Sequence, residues 1–124
     1  MAWKFNADSP IYLQIMEEIK LRIAKGVLKP GDKVPPVRDL AITAGVNPNT
    51  MQKALSELER EGVLYSQRTA GRFVSEQHQS GIDMKVDMRD KLIKTYITGM
   101  RELDYGNQDI LNWTKDYLDK EGER

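Results

Sequence analysis

Residues 37–61, VRDLAITAGVNPNTMQKALSELERE, decide the fold. Val37, Leu40, Ala41 and Ala44 recur at i, i+3, i+4 and i+7, the apolar stripe of a short helix lying on a core. Gly45 follows, free to take the positive φ that ends a helix tightly. Val46 supplies an apolar plug. Asn47 is placed to cap the next helix through its side-chain oxygen, and Pro48 suits a first helical position, where no N–H is needed. Met51, Ala54, Leu55 and Leu58 repeat the buried stripe, and Gly62 closes the second helix. The spacing predicts a helix, a sharp turn and a second helix.

The outward face of that second helix carries the functional signal. Asn49, Thr50, Gln52 and Lys53 occupy its first turn and a half, where a helix needing only solubility usually shows Glu and Lys. Amides pair bidentately with an adenine edge in the major groove, and hydroxyls and lysines reach phosphates. Two helices joined through a glycine turn, the second opening with such residues, have the layout of a helix-turn-helix DNA reader. The competing reading is an ordinary helical hairpin with a polar surface.

Working outward, Ile11, Ile15, Ile19 and Ile23, joined by Met16, form a long seam on a helix opened by Asp8-Ser9-Pro10 and ended by Gly26. This is the helix on which the turn-helix pair rests. The preceding arm offers Trp3 and Phe5 as anchors, packing on the domain or, less favoured, on a partner chain. Pro30-Gly31 reads as a type II turn, and Pro35 biases Val34 toward extended geometry, so a short strand or bridge is expected near Lys33-Val34. Arg38 lies in the first turn of the next helix. It is placed for a phosphate or a guanine, or for a solvated pair with Asp39. After Gly62, residues 63–66 and 72–74 read as two strands joined by a polar loop. Packed on three helices, that hairpin becomes a wing. Arg68, Thr69 and Arg72 are the candidate DNA contacts there, with Gly71 allowing close approach.

Composition limits the alternatives. A chain of 124 residues, 40% apolar and 31% charged, holds one domain or one small domain with an appendage. There is no Cys, which excludes disulfides and cysteine-based metal sites. No apolar run approaches the roughly 20 residues that span a bilayer, and the N-terminus lacks a signal-peptide core, so a cytoplasmic protein without membrane contact is expected. Net charge is zero, an objection to DNA binding that the distribution softens. Residues 1–78 carry 11 Lys+Arg against 9 Asp+Glu, and residues 79–124 carry 8 against 10. Binding must therefore come from a local patch, with Arg38, Lys53, Arg68 and Arg72 as its cations.

The ordered set YLQIMEEIKLRIAKG, LKPGDKVPP, VRDLA, AGVNPNTMQKALSELEREGVLY and AGRFV resembles the DNA-binding domain of the GntR family of bacterial transcription regulators. VNPNT and the short C-terminal segment resemble its YtrA-like branch. The resemblance implies a homodimer on a palindromic operator in double-stranded DNA, usually repressing a nearby operon. It places Arg38 at a helix-2 contact. It also puts Asn47, Asn49, Thr50 and Gln52 at recognition-helix contacts, and Gly71 with its arginine neighbours at the wing tip. Pro36 stands where many members have a capping serine. Pro48 and Gln52 stand where other branches carry arginines, so base preference does not transfer from those branches.

Residues 75–83 read as a linker, and His78, the only histidine, as a surface residue within it. A helix is expected over 84–104, a break at 104–107, and a second helix over about 108–121. Leu92, Ile93, Tyr96, Ile97, Met100 and Leu103 share one broad face of the first, and Trp113 belongs to the second. Two such helices cannot bury that face between themselves. A homodimer interface is the favoured cover, and a small-molecule effector pocket the less favoured one.

The fold expected is mainly α with a small β-wing: a winged helix-turn-helix domain over 1–78, with its N-terminal arm, and a two-helix dimerisation segment over 79–124. The function expected is a sequence-specific DNA-binding regulator, a repressor acting as a homodimer. The alternatives are a winged helix used for protein–protein contact and a regulator with an effector site in the C-terminal helices. No paired carboxylates, His–nucleophile set or phosphate loop appears, so no enzyme activity, metal site or cofactor is expected.

Overall fold

The computed structural model describes residues 3–76 and 81–122. The chain divides into two compact units, Met1–Val86 and Asp87–Arg124. Three helices, α1 (Ile11–Ala24), α2 (Val37–Ala44) and α3 (Pro48–Arg60), precede two strands, β1 (Leu64–Gln67) and β2 (Gly71–Val74). Two further helices follow, α4 (Gly81–Glu102) and α5 (Asn107–Glu121).

In the first unit α3 packs on α1, α2 and β1. Ile15, Ile19 and Ile23 of α1 and Met51, Leu55 and Leu58 of α3 are fully buried, with Ala41 and Ala44 of α2 beside them. These are the positions that the helical spacing predicts. Close packing of such branched side chains is the main stabilising term of a small domain.

The turn between α2 and α3 follows from local chemistry. Gly45 takes φ 71°, and the Val46 N–H donates to the Ala41 carbonyl at 3.0 Å. That bond satisfies an otherwise orphaned carbonyl at the helix end. The Asn47 side chain then accepts from the Asn49 N–H at 2.7 Å, and Pro48 opens α3. Pro36, at the start of α2, offers no side-chain cap.

β1 and β2 pair antiparallel, with Tyr65 opposite Phe73 and Gln67 opposite Gly71. The bridge expected near Lys33-Val34 forms: Lys33 pairs with Phe73, and the Val34 N–H donates to the Arg72 carbonyl at 2.9 Å. This third backbone segment anchors a hairpin that would be marginal alone. The turn leading into it has Gly31 at φ 85° and an Asp32 N–H bond to the Lys29 carbonyl at 2.9 Å. Both features belong to a type II turn.

The N-terminal arm packs on its own domain. The Arg22 guanidinium lies 4.4 Å from the Trp3 ring centroid, and the Gln14 side chain bonds the backbone of Asn6 and Ser9.

Two boundaries differ from the sequence reading. Ser75, assigned to the linker, is buried, and its N–H donates to the Val63 carbonyl at 2.9 Å, so it extends the wing. Helix α4 starts at Gly81, three residues before the expected Met84, and ends at Glu102. Asp83 in its first turn favours the positive helix end, which helps a segment that opens on glycine. His78 and the expected boundary at 78/79 fall outside the described residues.

In the second unit, α4 and α5 are joined through Asp104, at φ 67°, and Tyr105, whose N–H donates to the Met100 carbonyl at 3.2 Å. Ile110 is buried, Tyr105 stacks on Trp113 at 5.5 Å, and the Tyr96 and Thr114 hydroxyls share a hydrogen bond of 2.7 Å.

Candidate nucleic-acid interface

Helix α3 separates its faces cleanly. Met51, Ala54, Leu55 and Leu58 are buried, whereas Asn49, Gln52, Lys53 and Ser56 are exposed. Thr50 is half-buried at the edge. The exposed side chains therefore stand on a helix whose other side is locked in the core. Side chains on such a scaffold lose little freedom when they meet a partner.

Their present partners leave polar groups available. The Gln52 amide donates to the Ser56 hydroxyl at 3.0 Å, which leaves its carbonyl oxygen and one N–H for a base edge. Asn47 uses its carbonyl oxygen as the α3 cap and keeps its two N–H donors. Lys53 lies 4.1 Å from the Tyr12 ring centroid, a contact that fixes the butyl chain without neutralising the ammonium. Arg38 is exposed on α2 and makes no ion pair among the described residues, Asp39 included.

The wing holds its candidates in two ways. Arg68 and Thr69 lie exposed in the loop between the strands. Gly71 takes φ 105°, where an L side chain is strained. Arg72 is not a free cation at the tip: its Nε donates to Glu59 of α3 at 2.9 Å, and its side chain is 18% exposed. The Ser66 hydroxyl donates to the same carboxylate oxygen. Arg72 thus ties the wing to α3, where the sequence reading placed it on DNA.

The structure brings three further residues to the site, of which the sequence pointed only to Lys33, and only as part of a bridge. Glu59 is the anchor for Arg72, Tyr12 lies against Lys53, and Lys33 crosses the wing beside Gly71. Glu59 carried one signal, a carboxylate near the end of α3 shortly before the strand bearing Ser66.

In the second unit Leu92, Leu103 and Trp113 are exposed, Leu92 by 72%, with Ile93 and Tyr96 about half exposed and Ile97 and Met100 half-buried. Tyr96, Met100, Trp113, Tyr117 and Leu118 line an open apolar groove of about 430 Å³. Among the described residues no group of three His, Asp or Glu is placed to hold a metal ion, and no helix is long and apolar enough to cross a membrane.

Residues 11–74, running from the start of α1 to the end of the wing, match the family described as bacterial regulatory proteins, gntR family. The chain belongs to the GntR family. It is a winged-helix, DNA-binding transcription regulator of that family, and the family is not one of enzymes. Its GntR relatives include the HTH-type transcriptional repressor YtrA of Bacillus subtilis. That protein is 36% identical over 112 residues, covering 90% of this chain and 86% of YtrA. A GntR family transcriptional regulator from Listeria monocytogenes superposes with a TM-score of 0.81 at 34% identity, covering 90% of this chain and 98% of that one. The DNA-binding domain of AraR, solved in complex with its operator ORX1, matches with a TM-score of 0.55 at 32% identity. That match covers 60% of this chain and 99% of that one.

Proposed function

We propose that this GntR regulator is a repressor that reads a palindromic operator as a homodimer. The observation that carries the proposal is the open face of α3: Asn49, Gln52 and Lys53 stand exposed on a helix buried along its other side. Amide side chains there reach base edges, with Asn49 and Gln52 suited to adenine, and Lys53 reaches phosphate. Asn47 and Thr50 border that face. Arg38 on α2 and Arg68 and Thr69 in the wing loop, all exposed, add phosphate contacts to this reading, with Gly71 allowing the backbone to come close. The operator complex of the AraR domain and the repressor name of YtrA support this reading.

The second unit supports the dimer. Leu92, Ile93, Tyr96, Ile97, Met100, Leu103 and Trp113 leave an apolar face that α4 and α5 do not bury between themselves. A two-fold partner covers such a face with its own copy of the same residues, and two linked readers gain affinity from two half-sites. Half-sites about one helical turn apart, roughly 34–36 Å, follow. A small-molecule effector in the groove between Tyr96 and Trp113 is the second reading, favoured by its aromatic lining.

The test is a gel-shift series with duplexes from the regulator's own upstream region. A specific, salt-sensitive complex with two protomers per site is expected. The reading fails if folded, dimeric protein binds none of those duplexes more tightly than random DNA.

A further inference from the structure

Between the wing and the start of α2 lies an open cleft of about 390 Å³. Lys33, Arg68 and Arg72 line it, with Ser66, Gln67 and Gly71; no carboxylate does. We propose that this cleft seats a phosphate of the DNA backbone, with Lys33 as a DNA-binding residue beside Arg68. The proposal rests on the DNA-reading function above.

Lys33 is held in place by the bridge of its backbone to Phe73, and Val34 next to it bonds Arg72. Its side chain then runs across the hairpin. A Cβ built on Gly71 would stand 3.2 Å from the Lys33 Cε and 3.9 Å from its Nζ. Glycine at 71 therefore does two things: it accepts φ 105°, and it leaves room for the lysine to lie across the wing.

The charges around the cleft leave it positive. Lys33 makes no ion pair among the described residues. The neighbouring Asp32 carboxylate accepts from the Lys29 N–H at 2.9 Å. Glu59 is engaged by both Arg72 and Ser66. Pro36 and Val37 also line the cleft, so the positive end of α2 faces the same space. Asp39 stands in the first turn of α2 but does not line the cleft. Two cations without ion pairs and a helix end, with no carboxylate in the lining, make a seat for an oxyanion. The cleft is open rather than enclosed, which suits a phosphodiester passing along a strand.

A single neutralised phosphate contributes a salt slope of about 0.9, roughly an eightfold gain in affinity at 0.1 M salt over 1 M. Fluorescence anisotropy across a salt series, on operator and random duplexes, measures this. Lys33→Gln is expected to lose roughly eightfold per subunit on both duplexes, with a slope lower by about one per subunit. Lys33→Arg is expected to retain affinity and slope, and Lys120→Gln, exposed on α5, to match the unaltered protein. Circular dichroism checks that each variant is folded.

If unaltered protein binds DNA but Lys33→Gln keeps the same affinity and slope, the cleft assignment is overturned and the DNA-reading function stands. If unaltered protein binds no duplex, both fall. If millimolar inorganic phosphate raises the melting temperature of the unaltered protein but not of Lys33→Gln, with DNA affinity unchanged, the cleft takes free phosphate and the duplex assignment is overturned.

Discussion

Removing the Glu59 charge tests whether the wing arginine is structural. Arg72 and Glu59 approach to 2.9 Å with side chains 18% and 27% exposed, so neither is fully solvated and neither is deeply buried. At an effective dielectric of about 20, the gross attraction at that distance is roughly 6 kcal/mol. Desolvation of both ions and the ordering of two side chains offset most of it, leaving a net coupling of about 1–2 kcal/mol. Glu59→Gln, Arg72→Gln and the double variant form the cycle, read by urea denaturation at one protein concentration. Each single variant should lose about 1–3 kcal/mol, because each strands a charged partner in a half-buried place. The double variant should lose less than the sum. Salt-dependent DNA binding supplies the second readout, since an arginine already paired with a carboxylate adds little to the phosphate count. Arg72→Gln should therefore leave the salt slope nearly unchanged. Additive losses, or a slope reduced by about one per subunit in Arg72→Gln alone, would refute the structural role and restore Arg72 as a phosphate contact.

Three other substitutions probe separate links. Asn47→Ala removes the cap that receives the Asn49 N–H and should cost about 1 kcal/mol in denaturation. Gln52→Ala should relax base preference at one position per half-site, by about 1–3 kcal/mol of discrimination, in a mutated-operator binding series. Leu92→Glu places a charge on the exposed face of α4 and should shift sedimentation from dimer toward monomer while the far-ultraviolet spectrum stays helical; an unchanged dimer would move the interface elsewhere.

What could be read from the sequence was what neighbours along the chain decide. The stripe Met51, Ala54, Leu55, Leu58, the Gly45 turn and the Asn47 cap each depend on residues within about two helical turns, and all three appear at those positions. The contacts that refine the site depend on separate elements meeting. Glu59 and Arg72 are 13 residues apart on a helix and a strand. Lys53 meets Tyr12, and Lys33 meets Gly71, over longer separations still. No periodicity encodes which surface cation will find an acid, so Arg72 reads the same as Arg68 until the fold pairs one and leaves the other. The start of α4 is hidden in the sequence for a different reason: Gly81 reads as a breaker, and the acidic first turn that offsets it is visible only once the helix is known.

The same pairing explains how a chain of zero net charge presents a basic surface. In the first unit Glu17 and Glu61 hold Lys20, Glu18 holds Arg22, Glu57 holds Arg60 and Glu59 holds Arg72. Those five acids cancel against four cations at short range, within the first unit. Lys33, Arg38, Lys53 and Arg68 have no ion pair among the described residues. Three of these belong to the α3 face and the cleft beside the wing, and Arg38 stands in the first turn of α2. At a Debye length of about 10 Å, a phosphate responds to the cations nearest to it rather than to the sum over the chain. Net charge averages over pairs that the fold has already closed; under the proposed function, the duplex meets the cations left unpaired.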